Sequence, residues 1–375
     1  MKRRASGDKV VAPTITRSRK ERLVNNDKYI GMDVHKATTV TAVLNSLGKI
    51  HSETIIETKG ASLVDYLKGI RGTLHVTFEE GTQAAWLYDL IRPHVAQVVV
   101  CNPKKIAVQE NKADKRDARR LAELLRMGQL EPVYHGEQST RPLKELAQSY
   151  GTIVSDSTRT KNRIKALFRG QGIDCSGEGV YAKGQHELWL NQLDNPALRR
   201  RAARLFTQLE VLDELCEEAE KDLVTETRKH PAAKILQTIP GIGPVRAGII
   251  IAFTITPFRF RTRKQFWTYC GLAVRSQITG EYVVVEGQVR RSKKPVLIRG
   301  LNRDYNHSLK EVFKGAAASA AMGAWKSHYQ AMIANGTKPA LALLTLARKL
   351  ASTTLTLWKK GERYDVRKMN TSHAA

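Results

Sequence analysis

Acidic residues are scarce in this chain. Only 36 Asp and Glu stand against 62 Lys and Arg over 375 residues, which leaves a formal net charge of +26. An excess of that size repels itself unless a polyanion neutralises it, and phosphate backbone is the usual one. Cysteine is rarer still. Cys101, Cys175, Cys216 and Cys270 are scattered, with no CxxC pair and no histidine at ligand spacing. That pattern argues against zinc and for reduced core thiols in a cytoplasmic protein. No apolar run approaches the ~18 residues of a membrane span. The basic stretch 1–28 lacks the apolar core of a signal peptide and reads as a flexible arm suited to lie along phosphates. Hydrophobic residues nevertheless make up 42% of the chain, enough for two or three domains with cores of their own. Composition by itself leaves a noncatalytic nucleic-acid-binding protein open as a reading.

Patterning divides the chain into parts. From Tyr29 to about Gly128, β-branched runs at 29–34, 39–44 and 50–56 form a three-stranded meander with a turn at Leu47-Gly48. A helix over 61–70, a strand over 73–78, a helix carrying Trp86, Leu87 and Leu90, a strand over 96–101 and a helix from about 112 to 126 follow. The order βββαβαβα is that of a ribonuclease-H-like α/β domain, placed at 29–130, with a sheet that is part antiparallel and part parallel. Over 140–230 the spacing becomes helical. Leu146, Tyr150, Ile153, Ser157, Thr160, Ile164 and Leu167 recur at intervals of three and four, and so do Leu198, Ala202, Leu205, Leu209, Leu212, Cys216, Ala219 and Leu223. Such spacing suits coiled-coil helices, whether paired within one chain or along an oligomer seam.

A second compact domain, mainly helical, is expected over 235–365, ahead of a short tail at 366–375. It opens on Pro240-Gly241-Ile242-Gly243 between two apolar stretches, which resembles a helix-hairpin-helix turn. Gly241 and Gly243 would let backbone N–H groups approach a phosphate, although a plain interhelix turn explains the same residues. Basic residues then interleave with Phe258, Phe260, Phe266, Trp267 and Tyr269, as in a nucleic-acid contact or in an aromatic core with charged flanks.

Against this basic background four acids stand out: Asp33 in YIGMDVHK, Glu79 in HVTFEEGT, and Asp114 and Asp117 in NKADKRDA. Asp33 and Glu79 sit at the ends of strands that become neighbours in the expected sheet. Asp114 and Asp117 are three residues apart on one helix face. Hard divalent cations such as Mg2+ or Mn2+ want carboxylate oxygens converging from several elements, and they relieve the repulsion between clustered acids. Glu80 is a fallback for Glu79. His35 and Lys36 suit either a phosphate contact or an exposed strand end. Lys112 and Arg116, flanking the acidic pair, are candidate clamps on a nucleic-acid backbone, or a solvated helix face.

YIGMDVHK, FEEGT with AAWLYDLI, VVVCNPKK and KADKRDARRLAELL are similar to the catalytic half of the DEDD insertion-sequence transposases, family one-ten. LQTIPGIGPVRAGIIIA, FWTYCGLA and RRSKKPVLIRGLNRDYNHSLKEVFKGAA resemble the family's second half. The resemblance runs from Tyr29 to about Asp365. It implies a RuvC-like nuclease domain whose four acids are Asp33, Glu79, Asp114 and Asp117, a helical connector, and a C-terminal domain that supplies a serine nucleophile. Mobile-element DNA as substrate and a structured noncoding bridge RNA are also implied. Here the position matching the serine holds Thr279, and the nearby serine is Ser276, so either is a candidate for the hydroxyl that forms a protein–DNA ester. Arg275, Arg290, Arg291, Lys293, Lys294, Arg299 and Arg303 are candidate phosphate contacts. A dimer or tetramer assembled around paired DNA strands is expected. The competing enzyme class is a RuvC-like nuclease or junction resolvase, which hydrolyses DNA with activated water and needs no such hydroxyl.

Overall fold

The computed structural model describes residues 26–103, 114–135, 140–277, 282–291 and 297–365. Most of the basic arm, the tail, Lys112, Thr279, Lys293 and Lys294 lie outside the described residues. The chain divides into two compact units, Met1–His135 and Gly136–Ala375.

The N-terminal unit is built on β1 (Asp27–Val34), β2 (Thr38–Asn45) and β3 (Ile50–Glu57), then α1 (Gly60–Gly69), β4 (Thr73–Glu79), α2 (Ala84–Ile91), β5 (Gln97–Cys101) and α3 (Asp114–Arg126). The sheet order is β3-β2-β1-β4-β5. The meander strands pair antiparallel, whereas β1–β4 and β4–β5 pair parallel. The β2–β3 turn forms because Asn45 Oδ1 accepts from the backbone N–H groups of Leu47 and Lys49 (3.0 and 2.9 Å), with Gly48 at φ 80°.

Side chains alternate across the strands, so each sheet face has its own cover. Ile30, Met32, Val76 and Phe78 point to one face and pack with Leu63, Leu67, Leu87 and Ile91 of α1 and α2. The other face takes α3, whose buried stripe is Ala118, Leu121, Ala122 and Leu125. That stripe repeats at three- and four-residue intervals, the period of an amphipathic helix. On its outer side Arg119 pairs with Glu53 of β3 and Arg126 with Glu123.

The C-terminal unit begins with two long helices, α4 (Arg141–Arg169) and, after the short α5 (His186–Leu190), α6 (Pro196–Arg228). Asn195 caps α6 by accepting from the N–H groups of Ala197 and Leu198 (2.9 and 3.4 Å). The two helices pair with each other, antiparallel. Phe168 packs against Phe206, and Ser157 donates to Asp213 (3.2 Å). Further along, the Tyr150 hydroxyl faces Glu220, whose carboxylate, after burial itself, helps raise its pKa. The heptad-like spacing therefore serves an intrachain hairpin. Its tip encloses a satellite core in which Cys175, Val180 and Leu193 of the connecting segment meet Ile164, Leu167 and Leu209.

The helices α7 (Pro231–Leu236), α8 (Pro244–Thr254) and α9 (Arg263–Tyr269) lead to a β region. It comprises β6 (Val274–Gln277), β7 (Tyr282–Val285), β8 (Gln288–Arg291) and β9 (Leu297–Leu301), with β6 paired to β9 and β7 to β8. Next come α10 (His307–Met322), α11 (Lys326–Ala334) and α12 (Pro339–Lys360). The unit's core joins Leu143 and Ala147 of α4 and Leu223 of α6 to Leu236, Ile250, Phe266, Phe313 and Leu350. The aromatic run mostly turns inward: Phe260 and Phe266 are buried and Trp267 and Tyr269 pack against the same core, while Phe258 is exposed.

The expectation that no stretch suits a membrane by length and hydropathy is corrected by α12. An 18-residue window in it reaches a mean hydropathy of 1.2. Its Leu346, Leu350 and Leu355 belong to the core, which accounts for the apolar face of a helix that also carries Arg348 and Lys349. Of the four cysteines, all free, Cys101, Cys175 and Cys270 are buried and Cys216 is half-buried.

Candidate metal centre

Asp33 is the penultimate residue of β1. Its face is the one covered by α3, because it shares strand parity with Gly31 and not with the core residues Ile30 and Met32. Gly31 sets the closeness of that cover. A β-carbon there would collide with the carbonyl oxygen of Ala118 and stand 2.6 Å from the backbone nitrogen of Ala122. With only hydrogen at this position, α3 settles against β1. Its first residue, Asp114, then comes to the end of the strand.

The result is a cluster of three side chains. One ligand atom each from Asp33, His35 and Asp114 lies within 4.8 Å of the others. The His35 Nε2 is 3.3 Å from Asp33 Oδ2 and 3.6 Å from Asp114 Oδ2. Burial, the largest influence, pushes the Asp33 carboxyl above its ordinary value. The His35 ring opposes this, and the negative charges of Asp114 and Asp117 add to the rise. Burial and the neighbouring acids thus outweigh the partial compensation by His35, and a bound cation would lower the cost of keeping Asp33 ionised.

Asp117, half-buried in the first turn of α3, is close enough to act on Asp33 but lies outside the triplet. Glu79 ends β4, one residue past the last β1–β4 pair, Met32 and Phe78. It therefore shares the face of Asp33 on the adjoining strand, exposed, and is also outside the triplet. It borders a cleft of about 380 Å3 lined by Val34, Lys36, Phe78, Thr82 and Leu87. Glu80 turns away: its carboxylate pairs with His135 (2.7 Å) and its N–H with Cys101 O (2.8 Å). Arg116 is exposed on α3.

In the C-terminal unit Ser276 lies exposed on β6, opposite Ile298 of β9, with Arg275 exposed beside it. Arg290 is exposed, its guanidinium on Gln288 Oε1 (3.2 Å), and Arg303 is exposed after β9. Arg291 pairs with Tyr282 in the β7–β8 hairpin, and Arg299 sits within β9. Gly241 has φ 80°, and a β-carbon on it would press into the backbone of Ala316 in α10. Arg246 also ties this turn to α10, donating to Gly241 O (2.6 Å) and to Ser319 Oγ (3.0 Å). The glycine is thus required by packing. Gly243 is exposed at the start of α8, and a β-carbon on it would meet no atom within 4 Å.

Two features are not apparent from sequence pattern alone. Gly31 reads as an ordinary strand residue, yet it admits α3. His35 suits a phosphate contact by type, whereas the structure makes it a partner of the acids. The signal for it is the Asp-Val-His spacing, since two residues along extended chain return to the same face.

A mixed five-stranded sheet with carboxylates and an imidazole gathered at one end defines a candidate divalent-cation centre on a strongly basic α/β-plus-helical protein. Residues 30–171 match the family model of the IS110-type DEDD transposases, described as "Transposase". Residues 233–330 match the model described as "Transposase IS116/IS110/IS902 family". The chain belongs to this transposase family.

Among curated proteins, it is 26% identical over 218 residues to the transposase for insertion sequence element IS1533 of Leptospira borgpetersenii. That match covers 54% of this chain and 62% of the relative. It is 24% identical over 265 residues to the putative transposase y4qE of Sinorhizobium fredii, covering 68% of this chain and 65% of the relative. With the transposase for insertion sequence element IS1111A of Coxiella burnetii it shares 21% identity over 296 residues, 77% of this chain and 81% of the relative. The chain thus spans less than two thirds of the first two relatives' lengths.

Proposed function

We propose that this protein is a DNA recombinase that cuts and rejoins the strands of an insertion sequence at a divalent-cation centre held by its N-terminal unit. The observation that carries the reading is the convergence of Asp33, His35 and Asp114 where β1 meets the first turn of α3, in a chain of this family. The strand order β3-β2-β1-β4-β5 supports a RuvC-like domain, and Asp117 and Glu79 complete its four acids. Carboxylate oxygens suit Mg2+ or Mn2+. Such an ion, when bound, would orient the scissile phosphate and stabilise charge on the attacking and leaving oxygens.

The chain's own residues do the rest. Asp33 and Asp114 hold the site's negative charge in place, and Gly31 fixes the distance between the elements that carry them. A hydroxyl from Thr279 or Ser276 attacks phosphorus. The new oxygen–phosphorus bond forms as a strand phosphorus–oxygen bond breaks, and the departing strand oxygen takes a proton. The ester so formed conserves the bond energy, and a second strand's hydroxyl reverses the step to rejoin the DNA. Arg275, Arg290, Arg291, Lys293, Lys294, Arg299 and Arg303, with Lys112, Arg116 and Gly243, contribute phosphate contacts. A noncoding bridge RNA directs the strands, and the protein works as a dimer or tetramer.

Trapping tests the covalent step. Element-end DNA incubated with the protein and Mn2+ should give an adduct that survives denaturation and disappears in the Thr279→Ala Ser276→Ala double variant. Cleavage without any adduct in the unaltered protein would mean hydrolysis by water, the resolvase mode, instead.

A further inference from the structure

We infer that His35 is itself a ligand of the cation, through Nε2, and that this nitrogen tilts the site's preference from magnesium toward manganese. The inference rests on the cation-site reading above and adds to it a donor of a different kind.

Three observations support it. The first is direction: Nε2 faces both Asp33 Oδ2 (3.3 Å) and Asp114 Oδ2 (3.6 Å), so a cation between the carboxylates would meet the ring nitrogen and not its edge. The second is rigidity. The His35 N–H donates to Thr38 O (3.0 Å), and its carbonyl accepts from Thr58 Oγ1 (2.9 Å), which pins the backbone on both sides. Thr58 Oγ1 is in turn 2.9 Å from Thr39 Oγ1 of β2, so the support reaches into the sheet. The third is chemistry: magnesium is a hard ion that takes oxygen ligands, whereas manganese accepts the same carboxylates and, as a first-row transition ion, also tolerates an imidazole nitrogen beside them.

The placement also differs in kind from the other basic groups nearby. Lys36 lines the cleft beside Glu79, and a lysine ammonium offers donors only, with no lone pair for a metal. Neutral imidazole has one.

Manganese is the probe, because its unpaired electrons report directly bound nitrogen. The full-length protein with Mn2+ should show 14N coupling in pulsed electron paramagnetic resonance. His35→Ala should abolish that coupling and weaken Mn2+ binding at least about tenfold, while Mg2+ binding changes less than about threefold. His35→Gln keeps the bulk and a polar atom at an exposed position, and it should restore Mn2+ affinity only in part, without the nitrogen signal. Bound manganese with no nitrogen coupling, or coupling that persists in His35→Ala, overturns the inference and leaves the carboxylate site standing. Unchanged Mn2+ binding in Asp33→Asn, by contrast, overturns the cation-site reading itself.

Discussion

Gly31 on β1 and Ala118 on α3 meet backbone to backbone, with no room between them for a β-carbon. Ala122 N would stand 2.6 Å and Leu121 Cβ 3.0 Å from such an atom, so the whole helix, not one side chain, would have to move. Asp114 is the first residue of that helix and Asp33 lies two residues beyond Gly31. The contact that seats the helix therefore also sets the spacing of the acids.

Gly31→Ala is expected to destabilise the N-terminal unit by about 2–3 kcal/mol, since a collision with backbone cannot be relieved by a rotamer change. Urea denaturation followed by circular dichroism measures this. Divalent-ion binding should weaken in the same variant under conditions where it is still folded. Full stability together with full ion affinity would show that α3 does not depend on this approach.

Asp33→Asn should have opposite effects with and without metal. A carboxyl whose folded pKa is raised destabilises the folded state when charged. That loss is present at neutral pH and is recovered as pH falls through the raised value toward the ordinary 3.8. In chelator, the variant should therefore melt higher than the parent at pH 7, with the gap closing in acid. With Mn2+ present, the parent should gain thermal stability with ion concentration and the variant should not.

Much of this is legible in the chain itself. The helices of the N-terminal unit follow three-four spacing because each buries one stripe, and β1 and β2 read as continuous β-branched runs because both of their faces are covered. Ile30 and Met32 face one helical layer and Gly31 and Asp33 the other, which a period-two reading resolves directly. The pairing of α4 with α6 is not decidable from spacing, since Leu209 and Ile164 would look the same along an oligomer seam as in a hairpin. Strand order puts Glu79 on the strand adjoining that of Asp33 but sets no distance between them, and His35 meets the acids from the turn after β1, where its N–H bonds to Thr38 O. Hydropathy misleads at α12, where a core-facing stripe of Leu and Ala raises the mean without any need for lipid.

The glycines of the Pro240–Gly243 turn should separate cleanly. Gly241→Ala faces both a positive φ of 80° and the backbone of Ala316, and should cost more than about 2 kcal/mol in the C-terminal unit. Gly243→Ala has an ordinary extended φ of −81° and open space, and should cost no more than about 1 kcal/mol. Equal losses in thermal or urea denaturation would mean that the packing against α10 is not what requires Gly241.

With a net charge of +26, the proposed function predicts binding to nucleic acid through many phosphates. If six or more are neutralised, affinity for duplex DNA should fall by at least about a thousandfold between roughly 50 and 200 mM salt. A fluorescence-anisotropy titration across that range reads the slope. A flat response would remove the electrostatic basis of the proposal.

Equilibrium binding of Mn2+ to the full-length protein, measured by the loss of the free-ion resonance signal, probes the centre most directly. One saturable site is expected in the parent protein, lost or weakened at least about tenfold in both Asp33→Asn and Asp114→Asn and retained in Glu80→Gln, whose carboxylate turns to His135. Binding that is indifferent to Asp33 and Asp114 would contradict the account.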